Sequence, residues 1–196
     1  MLSERHRRML EVESRIHPDV ITDRGYWTAE SVEDLEGVPG IKRNQFHAPA
    51  LVIPVYGVDG EYRYSRVRPD EAPPGTGKYI QPAGTANVLD APLSVRDKVL
   101  DAGEPLAYTE GEKKADYLAS RGVAVVGLFG CWNWSNKTNE GTPLEMQLLL
   151  ADFDAIPHRD RPVSILFDCD IRINKNLQLA AYRFAQKLRE RGAVLW

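Results

Sequence analysis

Cysteine is almost missing: Cys131 and Cys169 are the only two among 196 residues, far apart and without CxxC spacing. This excludes a disulfide framework and a zinc ribbon, and makes a reducing, cytoplasmic setting the default expectation. Long apolar runs are missing as well. No stretch approaches the ~20 apolar residues of a membrane span, and the polar, basic start from Met1 to Arg8 has no apolar segment behind it, so a soluble protein with no membrane partner is expected. There is no GxxxxGK[ST] motif, which excludes a P-loop motor. His6, His17, His47 and His158 lack metal-ligand spacing and read as surface or packing residues. Nor is there an excess of positive charge: the net charge is -3, so any contact with nucleic acid must come from local patches. What is present is an ordinary globular composition, 43% hydrophobic and 27% charged, enough to bury a sizeable core.

Along the chain, Ser3 is placed to cap a helix carrying Met9, Leu10, Val12 and Ile16 on one face, and Pro18 opens a second helix that ends near Gly25. A further short helical turn is expected between Ala29 and Leu35. From Ala50 the period becomes that of strands. Leu51 to Tyr56 and Glu61 to Arg68 flank Val58-Asp59-Gly60, a strong hairpin signal. Alternation puts Tyr62, Tyr64, Arg66 and Arg68 on one face of the returning strand. Aromatics interleaved with arginines suit a single-stranded nucleic acid; a solvated basic face is the plainer alternative. Arg66 and Arg68 are the candidates for phosphate contact. Pro69 to Gly84 is an irregular loop containing Lys78-Tyr79.

The second half alternates strand and helix, with a division expected near residue 95: an α+β region at 1–95 and an α/β domain at 96–196. Leu106 to Thr109 is a strand, and Glu112 to Ser120 a helix stopped by Gly122. Val123 to Leu128 is a continuous apolar strand of the kind a doubly covered parallel sheet uses. Thr142-Pro143-Leu144-Glu145 predicts a capped helix running through Leu148, Leu149 and Phe153. Val163 to Phe167 is a third strand, and Leu177, Ala180, Ala181, Phe184 and Leu188 form one face of a helix. Ala193 to Trp196 is a fourth strand. The fold class is therefore α/β, a mostly parallel sheet flanked by helices, preceded by a small region with a hairpin.

Two of these strands end in carboxylates: the first at Glu110-Gly111-Glu112, the third at Asp168-Cys169-Asp170. Parallel strands point the same way, so Glu110, Asp168 and Asp170 are expected at one edge, where open α/β sheets place their ligands. Such hard oxygen donors suit Mg²⁺ or Mn²⁺ and a phosphodiester substrate, with Glu110 as the acid that moves a proton. The alternative is that Asp168 and Asp170 merely cap the following helix. Cys169, between them, reads as a buried spacer. Lys113, Lys114, Arg172 and Lys175 lie beside the acids and are candidates for nucleic-acid contact. Six basic residues against Glu190 between Arg172 and Arg191 suggest an anion-facing surface. Trp132 and Trp134 are either stacking platforms or loop packing.

Thr109-Glu110-Gly111-Glu112, the glycine at Val126-Gly127 and Phe167-Asp168-Cys169-Asp170 resemble the Toprim domain of bacterial and phage primases, topoisomerases and some nucleases. More narrowly, Glu110 to Ala115, Ser120-Arg121-Gly122 and Gly130-Cys131-Trp132-Asn133-Trp134 are similar to a Toprim-like family of plasmid and phage replication proteins. The resemblance covers about residue 100 onward, and the hairpin resembles the segment preceding Toprim in phage primase-helicases. It implies Glu110 as catalytic or metal-linked acid, Asp168 and Asp170 as Mg²⁺ or Mn²⁺ ligands, and primase-type nucleotidyl transfer or phosphodiester chemistry. The implied partners are single-stranded DNA or a primer-template, nucleotides and replication proteins. The alternative is a non-catalytic module of the same shape that binds single-stranded DNA or a replication partner.

Overall fold

The computed structural model describes residues 1–72, 77–136 and 141–196; the middles of the Pro69 to Gly84 and Gly130 to Gly141 loops lie outside them. The first half forms helix α1 (Glu4–Arg8), a π-helical turn at Met9–Glu13, α2 (Pro18–Arg24), strand β1 (Trp27–Ala29), α3 (Val32–Leu35), β2 (Ala50–Tyr56) and β3 (Tyr62–Pro69). After α4 (Arg96–Leu100) come β4 (Leu106–Glu110), α5 (Glu112–Ala119), β5 (Ala124–Leu128), β6 (Pro162–Leu166), α6 (Lys175–Glu190) and β7 (Val194–Leu195). Strands β1 to β3 form an antiparallel sheet, and the other four a parallel sheet in the order β5-β4-β6-β7.

Local chemistry accounts for most boundaries. The Ser3 side chain accepts from the His6 N–H, Pro18 opens α2, and Gly25 closes it in the left-handed conformation. Asp59 and Gly60 turn the hairpin, with the Asp59 carboxylate accepting from the Glu61 N–H at 3.0 Å. Strand β1 is a feature that periodicity does not reveal: three residues are strand only because Trp27, Thr28 and Ala29 pair with Val52, Leu51 and Ala50.

The expected helix over 142–153 does not form. Its place is taken by two short 3₁₀ turns, Leu144–Met146 and Ala151–Ala155, with an extended stretch between them. The reason is tertiary: Asn136 N–H donates to the Leu148 carbonyl at 3.0 Å and Leu150 N–H to the Trp134 carbonyl at 3.1 Å. Partners outside the segment outweigh its capping signal.

Both faces of the parallel sheet are covered, as its apolar strands require. On one face Leu106, Tyr108, Val126 and Leu128 pack against Trp132, Trp134, Phe153 and the α6 residues Ala180, Phe184 and Leu188. On the other, Ala107 and Val125 join Ala115 and Ala119 of α5 with Met9, Leu10, Val20, Ile21, Leu51 and Ile53. The first half of the chain is thus part of the core that holds α5 in place. Trp134 is fully buried, stacked on Phe184 with centroids 5.4 Å apart, and Trp132 donates to Asn176 at 2.9 Å. Both tryptophans are packing residues, which corrects the idea of exposed stacking platforms. No helix among the described residues is long and apolar enough to cross a membrane.

Buried polar links tie the layers together. His6 bridges Thr28 Oγ1 at 2.7 Å and Asp70 Oδ1 at 2.8 Å. His158 meets the Tyr108 hydroxyl at 2.7 Å, and burial pushes its pKa down to about 4. A base held neutral by the fold stabilises it above the unfolded-state pKa of ~6.5, and that contribution is lost as pH falls from there toward 4. Unfolding at pH 7 and 4.5 should therefore show wild type losing up to about 3 kcal/mol more than His158→Gln; parallel pH curves would contradict this.

A candidate site at the carboxyl rim of the parallel sheet

Strand β4 is flanked by β5 on one side and β6 on the other. The connection after β4 leads to β5, whereas the one after β5 crosses to β6, so the switch in direction lies between β4 and β6. Open α/β sheets leave a crevice at such a point, outside the carboxyl ends of the strands. Thr109 pairs with Leu166 in the parallel register, and its hydroxyl donates to the Leu166 carbonyl at 2.8 Å. Glu110 and Asp168 therefore leave the sheet at nearly the same level, on adjacent strands.

Gly111 makes the turn between β4 and α5. Its N–H donates to the Leu128 carbonyl at 2.7 Å, and its φ of +88° with ψ of 149° is open essentially only to glycine. A Cβ there would meet nothing within 4 Å, so the constraint is backbone strain alone. Gly111→Ala should cost about 1–3 kcal/mol in urea unfolding; an unchanged midpoint would contradict the assignment. On the β6 side the chain leaves the strand after Leu166 and enters a 3₁₀ turn over Cys169–Arg172. Asp168 sits at its N-cap, yet its side chain makes no capping bond, and Asn174 caps α6 instead. Helix capping therefore does not account for Asp168. Cys169 is exposed, not a buried spacer: the turn directs it outward.

A cavity of about 470 Å³ opens at this rim. Glu110, Gly111, Glu112, Lys113, Lys114 and Asp168 line it together with Arg66, Lys78, Tyr79, Tyr117, Phe129 and Ser14. Of the expected basic contacts, Arg66, Lys113 and Lys114 are brought here. Arg68 does not line the cavity but lies within electrostatic reach of Lys113. Arg172 and Lys175 are exposed, on the 3₁₀ turn after β6 and the first residue of α6, and do not line it.

Arg66 is not on an open basic face. It is 7% exposed, donates from Nη1 to buried Glu112 at 2.7 Å, and lies between Tyr79 and Phe129 with its guanidinium carbon 4.8 and 4.5 Å from the ring centroids. Glu112 thereby neutralises it. Tyr64 is buried as well, so the alternating face of β3 is mostly interior. Arg68 differs: its Nη1 meets the Met9 sulfur and its buried Nε has no partner.

Lys113, half-buried in the cavity wall, is poorly compensated. Burial and then the charges of Arg68 and Lys78 push Lys113 down to about 8. A lysine lowered by like charges marks a place where an anion would be stabilised. The basic surface expected along α6 is largely used internally: Arg183 donates to the Thr142 carbonyl, Lys187 pairs with Glu190, and Arg191 with Asp154.

The three acids of the rim have different partners. Burial, then the charge of Asp170, raises the Glu110 pKa above the ordinary carboxylate range, with Lys114 opposing. Lys114 forms an ion pair with Asp168, and Asp170 accepts from Asn174 Nδ2 at 3.3 Å. Among the described residues, no three of histidine, cysteine, aspartate and glutamate converge so as to hold a metal ion. Lys114, in the first turn of α5, stands at Asp168, and Asp170 lies on the 3₁₀ turn that follows. The oxygen donors suit Mg²⁺ or Mn²⁺ bound through one or two carboxylates and completed by water and phosphate, not a closed protein cage.

Lys78, Tyr79, Tyr117 and Phe129 were not singled out as site residues by sequence reasoning. Lys78-Tyr79 in a Gly/Pro-rich loop is the available signal; Phe129 lies just past the apolar strand that ends at Leu128 and carries none.

The chain resembles solved primase structures. The zinc-binding and RNA polymerase domains of Aquifex aeolicus primase match with a TM-score of 0.64 at 15% identity, over 99% of this chain and 49% of that one. The RNA polymerase domain of Mycobacterium tuberculosis primase DnaG matches with a TM-score of 0.60 at 17% identity, over 97% and 67%. A DnaG primase catalytic domain bound to ssDNA matches with a TM-score of 0.54 at 16% identity, over 92% and 58%. This chain thus spans about half the length of the Aquifex structure, and at such identities the likeness shows the fold. No curated protein matches the sequence. Residues 97–196, just over half of the chain, match the family described as a domain of unknown function, DUF3854, and the protein belongs to that family.

Proposed function

We propose that this protein acts on nucleic acid at the rim cavity, by primase-type nucleotidyl transfer or related phosphodiester chemistry supported by Mg²⁺ or Mn²⁺, in plasmid or phage replication. One observation carries the reading: at the sheet's switch point, a single cavity joins Glu110 and Asp168 to the cations Lys78, Lys113 and Lys114 and to aromatic side chains. Phosphates face the cations, and bases stack on Tyr79 or Tyr117. Similarity to a primase catalytic domain bound to ssDNA supports the same substrate class.

A bound divalent ion would neutralise charge on phosphate oxygens, and Asp168 and Asp170 are the carboxylates that would hold it. Glu110 accepts the proton of the attacking hydroxyl; its raised pKa brings it closer to that of an effective general base. Lys113 holds the phosphate by charge. Arg68, Arg172 and Lys175 contact the strand farther along.

The test is an extension and cleavage assay on one labelled single strand, with nucleotides and with or without Mg²⁺ or Mn²⁺. Metal-dependent product supports the reading. Tight strand binding with no product under any condition would favour the second reading, a non-catalytic binding module, which the Lys114–Asp168 ion pair also favours.

A further inference from the structure

Resting on the reading that a single strand occupies the rim cavity, we propose that a second cavity, which shares Tyr79 with the first, takes one unpaired nucleobase of that strand. Its volume is about 250 Å³, and Asn44, Gln45, His47, Gly77, Tyr79, Ile80 and Gln81 line it. That is below the ~300–1,000 Å³ of sites that enclose a drug-sized ligand, which suits one ring system with its sugar and phosphate left outside. No carboxylate, lysine or arginine is among these lining residues. The lining therefore suits a neutral planar group with donors and acceptors, not a phosphate.

Two of the amides have a fixed sense. Gln45 Oε1 accepts the Lys42 N–H at 3.0 Å, which leaves its amino group to donate. The Thr85 hydroxyl donates to the Pro82 carbonyl at 2.8 Å, so its oxygen accepts from Gln81 Nε2 at 3.1 Å, and Gln81 Oε1 is left to accept. Every base presents an acceptor beside a donor on its Watson–Crick edge, O4 and N3–H in thymine, and only an unpaired base has that edge to offer. The Asn44 side chain, with no hydrogen bond among the described residues, adds one more donor and acceptor. The wall is anchored to β3: Ile80 and Val67 exchange backbone hydrogen bonds at 2.7 and 2.9 Å, and the Arg66 guanidinium carbon lies 4.8 Å from the Tyr79 ring centroid. Arg66 takes one face of that ring and leaves the other to a base. Exposed Lys42 and Arg43 directly precede Asn44, and exposed Lys78 precedes Tyr79, so cations for the flanking phosphates stand next to the pocket residues in the chain.

Anisotropy on the full chain tests this with two labelled probes of equal length, an oligothymidylate and a strand of the same backbone whose sites are all abasic. Wild type is compared with Gln45→Ala/Gln81→Ala and with Asn44→Ala, each checked by circular dichroism. The double variant should bind oligothymidylate at least about fivefold more weakly, the effect of two lost hydrogen bonds, and Asn44→Ala should weaken it in the same sense. Neither should alter binding to the abasic strand. Because the Asn44 side chain holds nothing in the fold, Asn44→Ala decides the matter if the double variant fails to fold. Equal weakening on both strands would overturn the proposal, since the residues would then act on the backbone; so would variants that bind oligothymidylate as wild type does. If Lys78→Ala/Lys113→Ala then still weakens binding to both strands, the rim reading stands without this pocket. If wild type binds neither strand, the two fall together.

Discussion

Glu110→Gln should lower metal-dependent product formation at least about a hundredfold, the range general-base removal produces, while leaving the fold intact. The substitution keeps size and hydrogen bonding but removes the charge and the site for a proton. Glu110 sits at the last position of β4, paired with Leu128 on the neighbouring strand, and is only half-buried, so its side chain is not part of the core. Thermal unfolding should therefore move little, and slightly upward if anything, because a carboxylate whose charge is disfavoured by burial and by Asp170 would be gone. The wild-type rate should rise with pH as Glu110 deprotonates, and that limb should disappear in the variant. Full activity in Glu110→Gln, at matched protein and metal, would remove its assigned role.

Arg24→Met should be strongly destabilising, at about 3–5 kcal/mol, the cost of leaving buried charge uncompensated. Arg24 is 2% exposed and donates to Asp90 at 2.8 and 2.9 Å, to Asp116 twice at 2.6 Å, and to the Pro54 carbonyl at 3.0 Å. Tyr26 adds a hydroxyl to Asp116 at 2.5 Å. One guanidinium from α2 thus joins the hairpin, the segment carrying Asp90, and α5. Asp90 also pairs through its backbone with Gly127 of β5, where a Cβ would approach its carboxylate to 3.2 Å. Burial pushes Asp116 up to about 6 even with the guanidinium present. Without it, Asp116 would bind a proton still more readily in the folded than in the unfolded state, so the variant should be more stable at pH 5 than at pH 7. Urea unfolding at the two values checks this. A loss under about 1 kcal/mol, far below the range for a broken buried pair, or no acid recovery, would contradict it. Such a loss would be a large share of the ~5–15 kcal/mol typical of a domain.

That network also shows where sequence reading stops. The strands β4, β5 and β6 and the helices α5 and α6 were legible because each has its own period and its own stop, Gly122 and Gly192 among them. Their parallel pairing followed from alternation, and with it the prediction that Glu110 and Asp168 share one rim. Arg24, Asp90 and Asp116 gave no sign, because nothing local separates a buried charge from a solvated one. Arg66 shows the same limit in reverse. Its place on β3 was right, but its burial depends on Glu112 and on Tyr79 from a distant loop. The Thr142-Pro143 cap was a sound local signal, outweighed by backbone partners at Trp134 and Asn136. Lys114 was read as a possible phosphate contact; that it instead pairs with Asp168 depends on how α5 packs, which the first half of the chain determines.

The salt dependence of single-strand binding tests the central claim, that the rim cavity is where nucleic acid meets this protein, most directly. Labelled strands of different sequence would be titrated with wild type and with Lys78→Ala/Lys113→Ala by anisotropy over a range of salt. If both lysines contact phosphates, affinity should weaken to a similar extent for every sequence. The slope of log affinity against log salt should become shallower by about 1.4, from two lost contacts on a single strand. Unchanged affinity and an unchanged slope would place the nucleic-acid surface elsewhere and contradict the account.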